Sequence, residues 1–200
     1  MIIAVTGSFS SGKSSVSNFL IQRGAIGFNA DTVAHQGMEP GQECYGPIIQ
    51  LFGHSIIGED HRIDRRRLGR KVFSDTKKLQ ALCRIIHPYV RRKFKEETER
   101  ILKSNSQGVI VLEVPLLIES GMDREVDVVV VATTTLKKQT ERAIKRFGLA
   151  EWEVSRRIKQ QLPLKEKAKR ADFVISTSGS FDETEEQVKK LCQHLKLSLL

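Results

Sequence analysis

The sequence predicts an α/β fold in which a parallel sheet lies between layers of helix. Three observations predict it. The apolar, partly β-branched run 1–6 leads at once into a glycine-bearing loop and then into a helical pattern. Two further runs, 109–113 and 126–132, are apolar on both faces, as strands buried inside a parallel sheet must be. Helical spacing of apolar residues separates these strands, which is the alternation that builds a parallel sheet.

The first element carries the strongest signal. Gly7-Ser8-Phe9-Ser10-Ser11-Gly12-Lys13-Ser14 matches G-x-x-x-x-G-K-S, with a strand in front and a helix behind. This is a phosphate loop of the Walker A type. Gly7 and Gly12 let the backbone bend so that successive N–H groups point inward at an anion. The helix N-terminus adds its positive dipole end at the same spot. Lys13 is expected to reach the β- and γ-phosphates, and the Ser14 hydroxyl to bind Mg²⁺.

The helix over 14–22 has Val16, Phe19 and Leu20 on one side and stops at Gly24. A short second strand over 25–30 ends at Asp31. Open parallel sheets bind ligands beyond the carboxyl ends of their strands, so Asp31 is expected to face the same cleft as Lys13. Two readings stand for Asp31: a catalytic carboxylate, or the N-cap of the next helix.

Residues 40–105 break the βα rhythm. Helical patterns cover 45–52, 65–73, 76–86 and 88–103, with an irregular turn over 53–63. Pro88 is read as a helix start, which puts His87 at a junction. Segment 62–103 carries fifteen Lys and Arg against five acids, so it reads as a basic helical insertion that receives a phosphate-rich acceptor. Arg65-Arg66-Arg67 and Arg91-Arg92-Lys93 are its densest runs; most of these charges belong to ordinary solvated faces.

The strand over 109–113 ends in Glu113, an arrangement like a Walker B acid that helps hold Mg²⁺ or its waters. After the strand over 126–132, Thr133-Thr134-Thr135 opens a helix to 147 that carries Arg142. The polar helical stretch 148–170 suits a basic lid that excludes water from phosphoryl transfer. A last strand covers 171–176. A closing helix over 182–200 buries Val188, Leu191, Cys192 and Leu195.

Composition bounds the function. Two hundred residues with 40% hydrophobic content suit one domain with a substantial core. A net charge of +9 points to an anionic partner. Three scattered cysteines without C-x-x-C fit reduced thiols of the cytoplasm rather than a disulfide framework or a zinc site. The apolar N-terminus is too short for a signal peptide, and no apolar run is long enough to span a membrane. There is no N-K-x-D and no D-x-x-G, so a regulatory GTPase is excluded, and a motor or helicase would need a longer chain. No aromatic-and-basic repeat supports a nucleic-acid-binding adaptor. A small metabolite kinase remains, with neither nucleic acid nor membrane as partner.

Pieces spread along the chain carry a family resemblance. They are Val5-Thr6-Gly7, Ser11-Gly12-Lys13-Ser14, Ala30-Asp31 with Ala34-His35, Ile86-His87-Pro88, Val114-Pro115-Leu116-Leu117 with Glu119, Arg142, Gln161-Leu162-Pro163 with Lys167, and Ala171-Asp172-Phe173-Val174-Ile175. Through them the chain resembles the dephospho-CoA kinase family from end to end. The resemblance implies a three-layer P-loop kinase fold, similar to nucleoside-monophosphate kinases. A nucleotide-binding core would comprise 1–31, 106–147 and 171–200. A helical acceptor-binding insertion would cover 32–105 and a lid 148–170. It implies ATP-dependent phosphorylation of the ribose 3′-hydroxyl of dephospho-CoA, the last step of coenzyme A synthesis, with Mg²⁺. By the resemblance Phe9, Ser10, Ser11, Gly12, Lys13 and Ser14 cradle ATP. Asp31 is the base and shares in placing Mg²⁺ with Ser14 and Glu113, while Arg142 clamps phosphate. His87 and Arg91 are the candidate acceptor contacts, and a monomer is the working expectation. A P-loop kinase for another nucleoside or nucleotide is the alternative, since only the acceptor pocket separates the two.

The sequence departs from the family pattern in four places. Ser8 and Ser10 stand where the loop usually has glycine. Asn29 replaces the first aspartate of Asp-Ala-Asp. Glu113 stands where aspartate is common. Ser176-Thr177-Ser178 lacks the usual asparagine.

Overall fold

The strands that sequence patterning marks out align, in the computed structural model, as β1 (Ile2–Gly7), β2 (Ile26–Asn29), β3 (Ile110–Glu113), β4 (Val128–Thr133) and β5 (Phe173–Ser176). The structure describes residues 1–104 and 108–197. Among these residues the strands form a five-stranded sheet in the order β2-β3-β1-β4-β5, parallel throughout. The register places Val5 of β1 beside Glu113 of β3, with Asn29 of β2 on the other side of Glu113. All the strands therefore end at one edge, where their loops gather.

Alternation along each strand sends side chains to opposite faces. Ile3, Val5, Val111, Val128, Val130 and Ala132 share one buried cluster with Val16 and Leu20 of α1 (Lys13–Gln22). Val188, Leu191 and Cys192 of α9 (Phe181–His194) complete it, and Leu195 packs against it. Ala4, Leu112, Val129 and Val131 point the other way and are buried as well. The sheet is thus the middle layer of a three-layer P-loop kinase fold.

Local chemistry fixes the helix ends. Asp64 caps α4 (Arg65–Phe73) by accepting the N–H groups of Arg66 and Arg67, at 2.8 and 3.1 Å. Those bonds hold its carboxyl below the usual range. Thr135 caps α6 (Leu136–Phe147), and Ser180 with Glu183 forms a capping box on α9. Segment 148–170 folds as α7 (Glu151–Lys159) and α8 (Leu164–Ala168).

Two compact units divide the chain: Met1–Asn29 with Ile101–Leu200, and Ala30–Arg100. The first holds the sheet. The second contains α2 (Ala30–Gly37), α3 (Tyr45–Phe52), α4 and most of α5 (Thr76–Ser104). Residues 106 and 107 of the expected core and 198–200 of the expected closing helix lie outside the described residues.

Two local expectations are corrected. The helices expected over 76–86 and 88–103 are one continuous helix, with Pro88 inside it. Asp31 is not a cap: α2 already begins at Ala30, so Asp31 sits within its first turn. Cys44, Cys83 and Cys192 are free thiols. No helix among the described residues is long and apolar enough to cross a membrane.

Candidate active site

The loop between β1 and α1 is built by backbone geometry that few residues tolerate. Gly7 turns the chain with φ 153°, and a Cβ there would lie 2.5 Å from the Ala132 carbonyl oxygen. Gly12 has φ 87°, and a Cβ there would drive into the Thr177 side chain at 2.7–2.9 Å. Ser10 also takes a left-handed conformation, at φ 56°. For a residue with a Cβ this costs on the order of 1 kcal/mol, so the loop stores strain at Ser10.

Lys13 is buried, 8% exposed, and its Nζ donates to the Ser8 carbonyl at 2.9 Å. The same carbonyl accepts the Ser11 N–H at 3.1 Å. These bonds hold the ammonium against the loop. The Ser11 hydroxyl is buried and has no partner among the described residues, as fits a hydroxyl meant for a ligand oxygen. Ser14 Oγ donates to Glu113 Oε1 at 2.8 Å. Glu113 is 9% exposed at the end of β3. A hydroxyl and a carboxylate are hard oxygen donors, the type Mg²⁺ takes when phosphates and water supply its other positions. The donor set fits that ion.

Phe9 ties the loop to segment 148–170. Its N–H donates to Gln161 Oε1 at 2.9 Å. Its ring stacks on Phe147 at 5.5 Å, and the Arg157 guanidinium lies 5.3 Å from the ring centre. Arg142, half-buried on α6, does not reach the loop directly: Nη1 and Nη2 donate to Thr177 Oγ1 at 2.9 Å and to the Thr177 carbonyl at 2.6 Å.

Segment 148–170 is anchored by an ion pair whose lysine is buried. Lys167 is fully buried, and its Nζ donates to Glu119 at 2.9 Å and to the Pro115 carbonyl at 2.6 Å. Glu119 Oε1 also accepts the Leu162 N–H at 2.8 Å. Burial pushes the Lys167 ammonium below its ordinary pKa, and Glu119 opposes that shift. Removing Glu119 strands the buried Lys167 ammonium. Glu119→Ala is therefore expected to cost about 3 kcal/mol in urea unfolding. A loss below about 1 kcal/mol would show that the pair does not anchor the segment.

In the second unit Asp31 is exposed on α2, one turn before His35. Arg65 Nη1 approaches His35 Nδ1 at 3.0 Å. Burial and the Arg65 charge push the His35 pKa down, against weaker upward pulls from Asp31 and Glu39. His87 and Arg91 lie one turn apart on α5, half-buried and exposed respectively. Much of the basic excess is engaged locally: Arg92 chelates Glu43, Lys93 pairs with Glu96, and Arg67 pairs with Asp64.

Sequence reasoning missed three contacts: Thr177 on the loop, Gln161 on Phe9, and Lys167 with Glu119. Gln161, Glu119 and Lys167 all lie in the motifs that carry the family resemblance. That was the available signal, but it does not say which residues meet.

The family model for dephospho-CoA kinase matches residues 1–183. The dephospho-CoA kinase of Symbiobacterium thermophilum is 42% identical over 188 residues, 94% of this chain and 78% of that protein. The crystal structure of TT1252 from Thermus thermophilus is similar at TM-score 0.80 and 34% identity, over 98% of this chain and 97% of that one. Dephospho-CoA kinase from Campylobacter jejuni is similar at TM-score 0.69 and 27% identity, over 97% and 96%.

Proposed function

The chain belongs to the dephospho-CoA kinase family, and we propose that its phosphate loop, Asp31, Arg142 and a Mg²⁺ ion carry the family's reaction in this protein. That reaction is ATP-dependent phosphorylation of dephospho-CoA to coenzyme A, the last step of coenzyme A biosynthesis. The rival acceptors, other nucleosides and nucleotides, give way to the family assignment.

Phosphoryl transfer is mostly positioning and charge neutralisation. Loop N–H groups of residues 9–14 hold the ATP phosphates, and Lys13 neutralises charge growing on the β- and γ-phosphates. Asp31 accepts the proton of the ribose 3′-hydroxyl as that oxygen attacks the γ-phosphorus. The bond to the β,γ-bridging oxygen breaks, and ADP leaves. Arg142 adds positive charge at the transferring group. Ser14, Glu113 and Asp31 hold Mg²⁺, directly or through water. Held there, Mg²⁺ would supply positive charge to the ATP phosphates. His87 and Arg91 contact the acceptor. Residues 32–105 form the acceptor-binding insertion and 148–170 the lid. The enzyme works as a monomer in the cytoplasm, on ATP and dephospho-CoA, without nucleic acid or membrane.

The observation that supports the metal assignment is the 2.8 Å bond joining Ser14, directly after the loop lysine, to the buried Glu113. Both groups are ligands of the kind a nucleotide-bound Mg²⁺ uses. A Mg²⁺ titration of dephospho-CoA phosphorylation at fixed ATP tests them. Ser14→Ala is expected to raise the half-saturating Mg²⁺ concentration about 10- to 100-fold. Unchanged Mg²⁺ dependence would remove Ser14 from the metal site.

A further inference from the structure

Thr177 follows β5 directly and is 3% exposed. Every polar group it has is engaged. Its N–H donates to the Thr133 carbonyl at 2.8 Å. Its Oγ1 donates to the Ser11 carbonyl at 2.8 Å, with a longer approach to the Thr133 carbonyl at 3.3 Å. The same Oγ1 accepts from Arg142 Nη1, and the Thr177 carbonyl accepts from Arg142 Nη2. Its side-chain carbons fill the space where a Cβ of Gly12 would stand.

Two of these contacts meet on one peptide, the one joining Ser11 to Gly12. In a trans peptide the carbonyl and the N–H point to opposite sides. Fixing the Ser11 carbonyl against Thr177 therefore fixes the Gly12 N–H in the opposite direction. That N–H belongs to the loop whose donors face phosphate. Arg142 is oriented through the same hydroxyl and the neighbouring carbonyl, so one side chain sets both the loop peptide and the arginine.

We propose that Thr177 is a positioning residue for phosphoryl transfer: its hydroxyl aligns the Ser11–Gly12 peptide for the ATP phosphates and orients Arg142. This rests on the loop being the ATP site. The alternative role for the position is contact with the adenine.

Thr177→Val removes the hydroxyl and keeps the shape, whereas Thr177→Ser keeps the hydroxyl. Steady-state kinetics and competitive inhibition by inorganic tripolyphosphate separate the roles. Thr177→Val is expected to raise KM for ATP and Ki for tripolyphosphate by the same factor, on the order of tenfold, for one lost alignment. KM for dephospho-CoA should hold, and Thr177→Ser should restore both ATP-side constants. Weakened ATP with unchanged tripolyphosphate would assign Thr177 to the base and overturn the proposal. A lower Tm with unchanged KM for ATP would overturn it too, by reducing Thr177 to packing. So would a serine variant as impaired as the valine one. Lys13→Met, run beside them, tests the premise: if it also leaves tripolyphosphate inhibition intact, the loop assignment fails, not only Thr177.

Discussion

Asp31→Asn is expected to lower kcat about a thousandfold while KM for ATP stays within about twofold. Asparagine keeps the size of the side chain and its place in the first turn of α2, so the helix has no reason to change. Asp31 is exposed and outside the core, so stability should hold as well. What disappears is the carboxylate that takes the 3′-hydroxyl proton. An amide has no basic lone pair at neutral pH, and a positioned base is worth about 10²–10⁴ in rate. The loss should appear in kcat rather than in ATP binding, because ATP is held by the loop. A variant that turns over within tenfold of wild type would remove Asp31 from the reaction.

Lys13→Met should lower kcat/KM for ATP about 10²–10³-fold, the scale for losing one preorganised electrostatic donor. Methionine fills much of the aliphatic volume of a side chain that is 8% exposed. The Ser8 carbonyl keeps the Ser11 N–H as a partner, so the loop need not collapse. The missing element is the ammonium, whose value rises as charge shifts toward the β,γ-bridge. Circular dichroism and Tm should match wild type to within a few degrees while activity falls. Retained activity would contradict the assignment of the loop.

Much of the sheet-bearing unit is legible in the sequence because its signals are local. A strand, a glycine-bearing loop and a helix lie within the first twenty-two residues, and the structure has them in that order. Helices α3 and α4 appear with the bounds their patterns predict. Asp64 supplies a cap signal for α4, and Ile48 and Phe52 one turn apart mark the buried face of α3. Pro88 misleads for a physical reason. A proline inside a helix costs about 3 kcal/mol through its lost N–H and its clash with the preceding turn. Leu82, Tyr89, Val90 and Phe94 are all buried on α5, on both sides of the proline. Each large apolar side chain gains about 1.5–3 kcal/mol on burial, so together they outweigh the break.

The site divides in the same way. Lys13, Ser14 and Glu113 are legible because a motif and a strand end locate them. Thr177 is not, because its partners Ser11 and Arg142 are 166 and 35 residues away in sequence. As a sequence feature it registers only as a missing asparagine. In the fold it is a buried hydroxyl with every polar group satisfied. Lys167 and Glu119 pair across 48 residues, a separation that no helical or strand period connects.

The central claim is that the loop and Asp31 together move phosphate from ATP to the ribose 3′-hydroxyl of dephospho-CoA. Its most direct test is ³¹P NMR of dephospho-CoA, ATP and Mg²⁺ turned over by wild type and by Asp31→Asn. The account predicts a new 3′-phosphomonoester resonance, equal in amount to the ADP formed, with wild type, and about a thousandfold slower appearance with the variant. The same resonance growing at the same rate with Asp31→Asn would contradict it.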